Sequence, residues 1–170
     1  LPTLASLRAC RLLVCRIVDP EVSFPPSAVT TDVDPEAVVP FLAATRQAAY
    51  GMEVVAARAS GKRREQAIGW LGELRALALA QEEAAAGDAP SAPSAYALPL
   101  TADDADSAHR LAQYVLGALP GAYGAALAGL VPEDGEPDRR TLAAGSDWLA
   151  RAAVLSDDSG TPPGAFPGLR

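Results

Sequence analysis

Apolar residues return every three or four positions along four stretches of this chain, and those stretches predict four amphipathic helices. The first opens at Asp34-Pro35. Aspartate caps an exposed backbone N–H, and proline at the first helical position has no N–H to lose. Val38, Phe41, Ala48, Met52, Val55 and Ala59 then mark one stripe, with Thr45 on the same face. Ser60-Gly61 is expected to end this helix, the glycine serving as a left-handed C-cap. A second helix is predicted from about Arg63 to Ala86, with Ile68, Leu71, Leu74, Leu77 and Ala78 inward. So short a connection makes the two helices antiparallel neighbours.

The segment GDAPSAPSAYALPL, residues 87–100, is rich in Pro, Ser and Ala and reads as a crossover loop. Thr101-x-x-Asp104 resembles a capping box for a third helix reaching Gly129. Its packers are Leu111, Val115, Leu116, Leu119, Tyr123 and Leu127. Pro120 should kink it, and Gly117, Gly121 and Gly124 permit close approach of a neighbour. Pro137 is expected to open a fourth helix ending near Leu155, with Leu142, Leu149, Ala152 and Ala153 inward and Trp148 at the edge. The predicted organisation is an irregular N-terminal arm over 1–34, an all-α antiparallel four-helix bundle over 35–156, and a Pro/Gly-rich tail over 157–170 anchored by Phe166.

Composition narrows the function classes. Of 170 residues, 49% are hydrophobic and 5% aromatic, enough for a helical core and unlike a disordered chain. Fourteen basic against 21 acidic residues give a net charge of −7, which argues against nucleic acid and anionic membrane as partners. No residue between Arg110 and Glu133 is charged, a run long enough to span a bilayer. Its Gln113, two tyrosines, mid-run proline and many Ala and Gly residues instead fit a buried bundle helix. Cys10 and Cys15 suit neither a CxxC pair nor a zinc knuckle and read as incidental thiols. Arg8 and Arg11 precede the lipobox-like Leu12-Leu13-Val14-Cys15 and Arg16 follows it, leaving no apolar stretch long enough for a signal segment, so a cytoplasmic location is expected, with the cell envelope as the alternative if a leader once preceded Leu1.

Helical bundles often hold two metal ions, which requires inward carboxylates and two histidines, each following a glutamate by three residues. This chain has one histidine. Asp106-x-x-His109 has the spacing but falls in the first turns of its helix, where it reads as a polar helix start. It is the sole metal-ligand alternative, with Glu53 and Glu73 as its conceivable partners. No GxSxG elbow accompanies a serine, Ser60-Gly-Lys62 is only a fragment of a phosphate loop, and the Asp-rich strings lack the calcium-loop order. No cofactor is expected, nor a catalytic residue. Tyr50, Tyr96, Tyr114 and Tyr123 are expected to pack with their hydroxyls in water.

The segments FLAATRQAAYGMEVVAARASG, SAYALPL, LAQYVLGALPGAYGAAL and GAFPGL together resemble a ferritin-like family of unknown function from high-GC Gram-positive bacteria, over about Val38 to Leu169. The resemblance implies a ferritin-like bundle. Members of that family carry Ala-Glu-His-Ala in the first helix and Leu-Glu in the third. Here those positions read Ala44-Thr45-Arg46-Gln47 and Val115-Leu116-Gly117, so the carboxylates are gone. The expectation is a metal-free, non-catalytic module for structure or interaction, self-associating as a homodimer through helix packing. A metal-binding or oxidoreductase protein and a small-molecule carrier with a pocket beside Pro120 are the alternatives.

Overall fold

The computed structural model describes residues 33–131 and 138–164. Within them the chain forms four helices and no strand: α1 (Pro35–Arg58), α2 (Gly61–Ala84), α3 (Ala105–Gly129) and α4 (Arg139–Asp158). The all-α four-helix bundle is therefore as the periodicity predicts. The N-terminal arm with Cys10 and Cys15, the acidic turn with Pro137, and Phe166 lie outside the described residues.

Cross-links fix the topology. Arg46–Glu82 and Arg75–Glu53, each 2.8 Å, run α1 antiparallel to α2. Arg63–Asp106, also 2.8 Å, sets the start of α2 beside the start of α3, so those two helices are parallel. The link Ala85–Asp104 must consequently travel back along the bundle's length. On its way the Arg46 guanidinium donates to the Pro90 carbonyl, Tyr96 packs on Tyr50 with ring centroids 5.7 Å apart, and Leu98 reaches Gly51. α1 packs against α2 and α3, and α3 against α4.

Each helix start has a local cause. The Asp34 carboxylate accepts from the Glu36 N–H at 3.1 Å, as the sequence predicts. Asp104, with Ser107 rather than Thr101, makes the capping box of α3: the Ser107 N–H donates to Asp104 at 2.7 Å and the Asp104 N–H to Ser107 at 2.9 Å. These bonds favour the ionised carboxylate and hold Asp104 below the usual range, the Ser107 hydroxyl contributing most. Asp138 caps α4 in place of the expected Pro137 start, accepting from the N–H groups of Arg140 and Thr141 at 3.0 and 3.3 Å.

Four expectations are corrected. α1 stops at Arg58 because Ala59 and Ser60 are extended; Gly61, at φ +53°, begins α2 rather than capping α1. Ile68 is 52% exposed, and Ala67 occupies the inward position instead. Trp148 is buried rather than marginal, its ring edge-on to Phe41 at 5.2 Å. α4 continues to Asp158, three residues past the predicted end.

Two glycines matter for packing. A Cβ at Gly117 would stand 2.7 Å from Thr161 Cγ2, so the segment following α4 lies directly on α3 there. A Cβ at Gly145 would meet Leu127 at 2.9 Å and Phe41 at 3.0 Å, which is how α4 approaches the aromatic cluster. Among the described residues no helix is long and apolar enough to cross a membrane, and α3 instead buries Leu111, Leu116, Leu119, Tyr123 and Leu127 inside the bundle.

Candidate functional site

A polar cluster linking three helices lies in the bundle interior. Thr45 on α1, Gln81 on α2 and Tyr123 on α3 are all fully buried and meet side chain to side chain. Thr45 Oγ1 lies 2.6 Å from Gln81 Oε1, Gln81 Nε2 donates to Tyr123 Oη at 3.0 Å, and Tyr123 Oη bonds Thr45 Oγ1. Each hydroxyl has one proton to give. The assignment that uses every group is a closed ring: tyrosine donates to threonine, threonine to the glutamine carbonyl, and the glutamine amide back to tyrosine. Threonine also lies 2.8 Å from the Phe41 carbonyl one turn earlier.

Helical spacing builds this ring. Thr45 follows Phe41 by one turn and precedes Ala48 and Met52 on the α1 stripe. Gln81 continues the Ala67, Leu71, Leu74, Leu77 stripe by one more turn. Tyr123 falls one turn after Leu119 and one before Leu127. Phe41 stands edge-on to Tyr123 at 5.3 Å and shields the ring from the Trp148 side.

Burial pushes the Tyr123 hydroxyl from 10.0 to about 12, against the smaller opposing pull of its bonds from Thr45 and Gln81. The folded value exceeds the unfolded one, so the unfolded chain ionises first. Stability from this group is complete below about pH 10 and falls as pH climbs towards about 12, by about 3 kcal/mol at most. Urea midpoints across this interval should drop in the native sequence and stay flatter in Tyr123→Phe. An identical alkaline slope in both would contradict the placement. The hydroxyl is thus not in water, against the sequence expectation, whereas the Tyr114 side chain is 55% exposed.

The ring's donor set does not fit a metal pair. Three neutral groups that already satisfy one another bring no charge to offset that of a hard cation, which binds through carboxylate and other oxygen ligands, or of a softer one, which takes imidazole or thiolate. The predicted metal alternative is not gathered either. Asp106 is exposed and bonded to Arg63, Glu53 is bonded to Arg75, Glu73 is exposed, and His109 is half-buried in the second turn of α3. Among the described residues no three His, Cys, Asp or Glu side chains come together in a ligating group.

Sequence reasoning placed Thr45 and Tyr123 on inward stripes but overlooked Gln81. Its signal was available: a glutamine one turn beyond Leu77 occupies a position where a surface side chain would not fall.

A second feature is an open groove of about 730 Å³ at the end of the bundle where α1 and α4 begin and α3 ends. Ala37 and Pro40 of α1 and Ala122, Ala125, Ala126 and Gly129 of α3 form its floor; Asp34, Glu36, Asp138 and Thr141 stand around it. The Asp34 N–H donates to Thr141 Oγ1 at 3.0 Å, and Thr141 Oγ1 donates to Asp138, so the two caps are tied together. Hydrogen bonding, first from the Thr141 hydroxyl and then from the Arg140 N–H, holds the Asp138 carboxyl below the usual range. The alternative carrier reading puts its pocket beside Pro120, which is buried in α3 and does not line this groove.

The architecture is that of a four-helix bundle with one long crossover. By structure the chain is similar to a conserved hypothetical protein from Mycobacterium tuberculosis, with a TM-score of 0.61, 21% identity, and coverage of 74% of this chain and 92% of that one. At that identity the likeness shows the fold. No protein-family model matches the chain, and no curated protein does.

Proposed function

We propose that this chain is a ferritin-like domain of the high-GC Gram-positive family it resembles, acting without metal or catalysis as a structural or interaction module. One observation supports the reading above the others: the interior positions are taken by the neutral Thr45–Gln81–Tyr123 ring, with no carboxylate among its members. A di-metal bundle would need inward Glu and His at comparable positions. The departure Ala44-Thr45-Arg46-Gln47 agrees with this, since Arg46 is committed to Glu82 and the Pro90 carbonyl and stiffens the crossover rather than binding a ligand.

A ligand that binds only the folded state raises its melting temperature, by an amount that grows with concentration above Kd. Thermal melts with Fe(II), Mn(II) or Zn(II) added are expected to match the metal-free melt. A saturable rise of several degrees, abolished by His109→Ala, would replace this proposal with the metal-binding one.

A further inference from the structure

Helix α2 carries apolar residues on two faces, and the bundle covers one of them. Ala67, Leu71, Leu74 and Leu77 turn inward, and α1 is the one helix with which α2 makes extensive contact. On the outer side Ile68, Gly72, Ala76 and Leu79 follow one another by fours and a three, which makes a second stripe. Ile68 and Leu79 are 52% and 57% exposed, the most exposed large aliphatic side chains among the described residues. They stand about three turns apart, with the small Gly72 and Ala76 between them. A Cβ at Gly69 or Gly72 would meet nothing within 4 Å, so no described neighbour calls for glycine there, although glycine weakens a helix interior. Both ends of α2 continue into described chain, and the crossover runs along α1 rather than over this stripe.

Charge is unevenly spread along the same helix. Lys62, Arg63 and Arg64 open it, only partly offset by Glu65, and Glu82 and Glu83 close it. Arg63 is bonded to Asp106 and Glu82 to Arg46, which leaves Lys62, Arg64 and Glu83 exposed and unpaired among the described residues.

We propose that the outer face of α2 binds the same face of a second copy of this chain, the two helices running antiparallel. A second copy is selected because this face is complementary to itself. A two-fold axis across the middle of the stripe brings Ile68 of each copy to Leu79 of the other and puts Gly72 and Ala76 at the crossing. There the missing side chains let the backbones come close. The same axis sets the basic start of each helix against the acidic end of the other. A parallel pairing would oppose like charges at both ends and align the two helix dipoles.

The inference deepens the interaction-module reading by naming its partner, and rests on it. Metal melts test that reading and sedimentation tests this face, so each can fail alone. One helix face per copy is a small interface, so sedimentation equilibrium of the full chain should show a monomer–dimer equilibrium with Kd of roughly 10–100 µM. Ile68→Glu with Leu79→Glu, both at exposed positions, should leave the circular dichroism unchanged and the chain monomeric. Arg64→Glu alone or Glu83→Lys alone should raise Kd at least about fivefold, and the two together should restore it to within about twofold. Both changes suit the helix dipole, so the fold is not at stake. Within one chain the two positions lie about 28 Å apart along α2, so rescue reports contact between copies. The proposal is overturned if the full chain stays monomeric at about 500 µM, as it will if residues 1–32 or another protein occupy this face. It is likewise overturned if the dimer survives the double glutamate variant, or if the paired charge reversal binds no more tightly than the single ones.

Discussion

Replacing Phe41 by alanine is expected to remove about 3–5 kcal/mol of stability, the range for deleting a large aromatic side chain from a packed core. The reasons are specific to its position. Phe41 is fully buried, meets Tyr123 of α3 and Trp148 of α4 edge-on at 5.3 and 5.2 Å, and lies against the gap that Gly145 leaves open. Its removal takes the common partner from two aromatic pairs and leaves a void bordered by three helices that cannot all close on it. Since whole domains are stable by only about 5–15 kcal/mol, the variant should unfold at far lower urea, or fail to fold at physiological temperature. Urea denaturation followed by circular dichroism measures this; a loss under about 1 kcal/mol would mean that Phe41 is not central to the core.

The second large effect concerns the buried ring, and its signature is non-additivity. Thr45→Val, Gln81→Leu and Tyr123→Phe each remove one member and strand polar atoms of the other two in an apolar interior. Each should cost about 1–3 kcal/mol, most of it the desolvation penalty of the orphaned groups. The triple variant removes every polar member together and keeps roughly the same volume. It should cost much less than the sum of the three, and could equal or exceed the native stability. Additive losses would show that the three side chains act separately rather than as one network.

The same ring shows how far the sequence could be read. Helix existence was legible because the stripes are long and the starts chemically marked: Asp34-Pro35 leaves little doubt where α1 begins. The end of α4 was less so, because its last turn mixes apolar and polar residues in ratios that fit either a helix or a turn. On α2 the pattern itself misled. Its apolar residues spread around the helix, so Ile68 looked as inward as Leu71; only the position of α1, its one extensive neighbour, selects Ala67. Trp148 was placed at an edge because the gap at Gly145 and the facing Phe41 ring are tertiary facts. Thr45 was visible on its stripe, but its partners on two other helices could not be deduced from spacing along one.

The candidate chemistry was easier to exclude than to find. A single histidine and the replacement of glutamate by Thr45 could be read directly, and the arginine partners of Asp106 and Glu53 then remove those carboxylates from any shared cluster. The groove at the α1–α3 end was not foreseen. It depends on the register between α1 and α3, which the whole of α2 and the crossover separate in the chain.

The most direct measurement is elemental analysis of the purified full chain, expressed with ample iron, manganese and zinc and not exposed to chelators. An interior closed by Thr45, Gln81 and Tyr123 predicts well below about one-tenth equivalent of any transition metal per chain, unchanged in the triple variant. One or two equivalents of iron or manganese, lost when any member of the ring is replaced, would contradict the account at its centre.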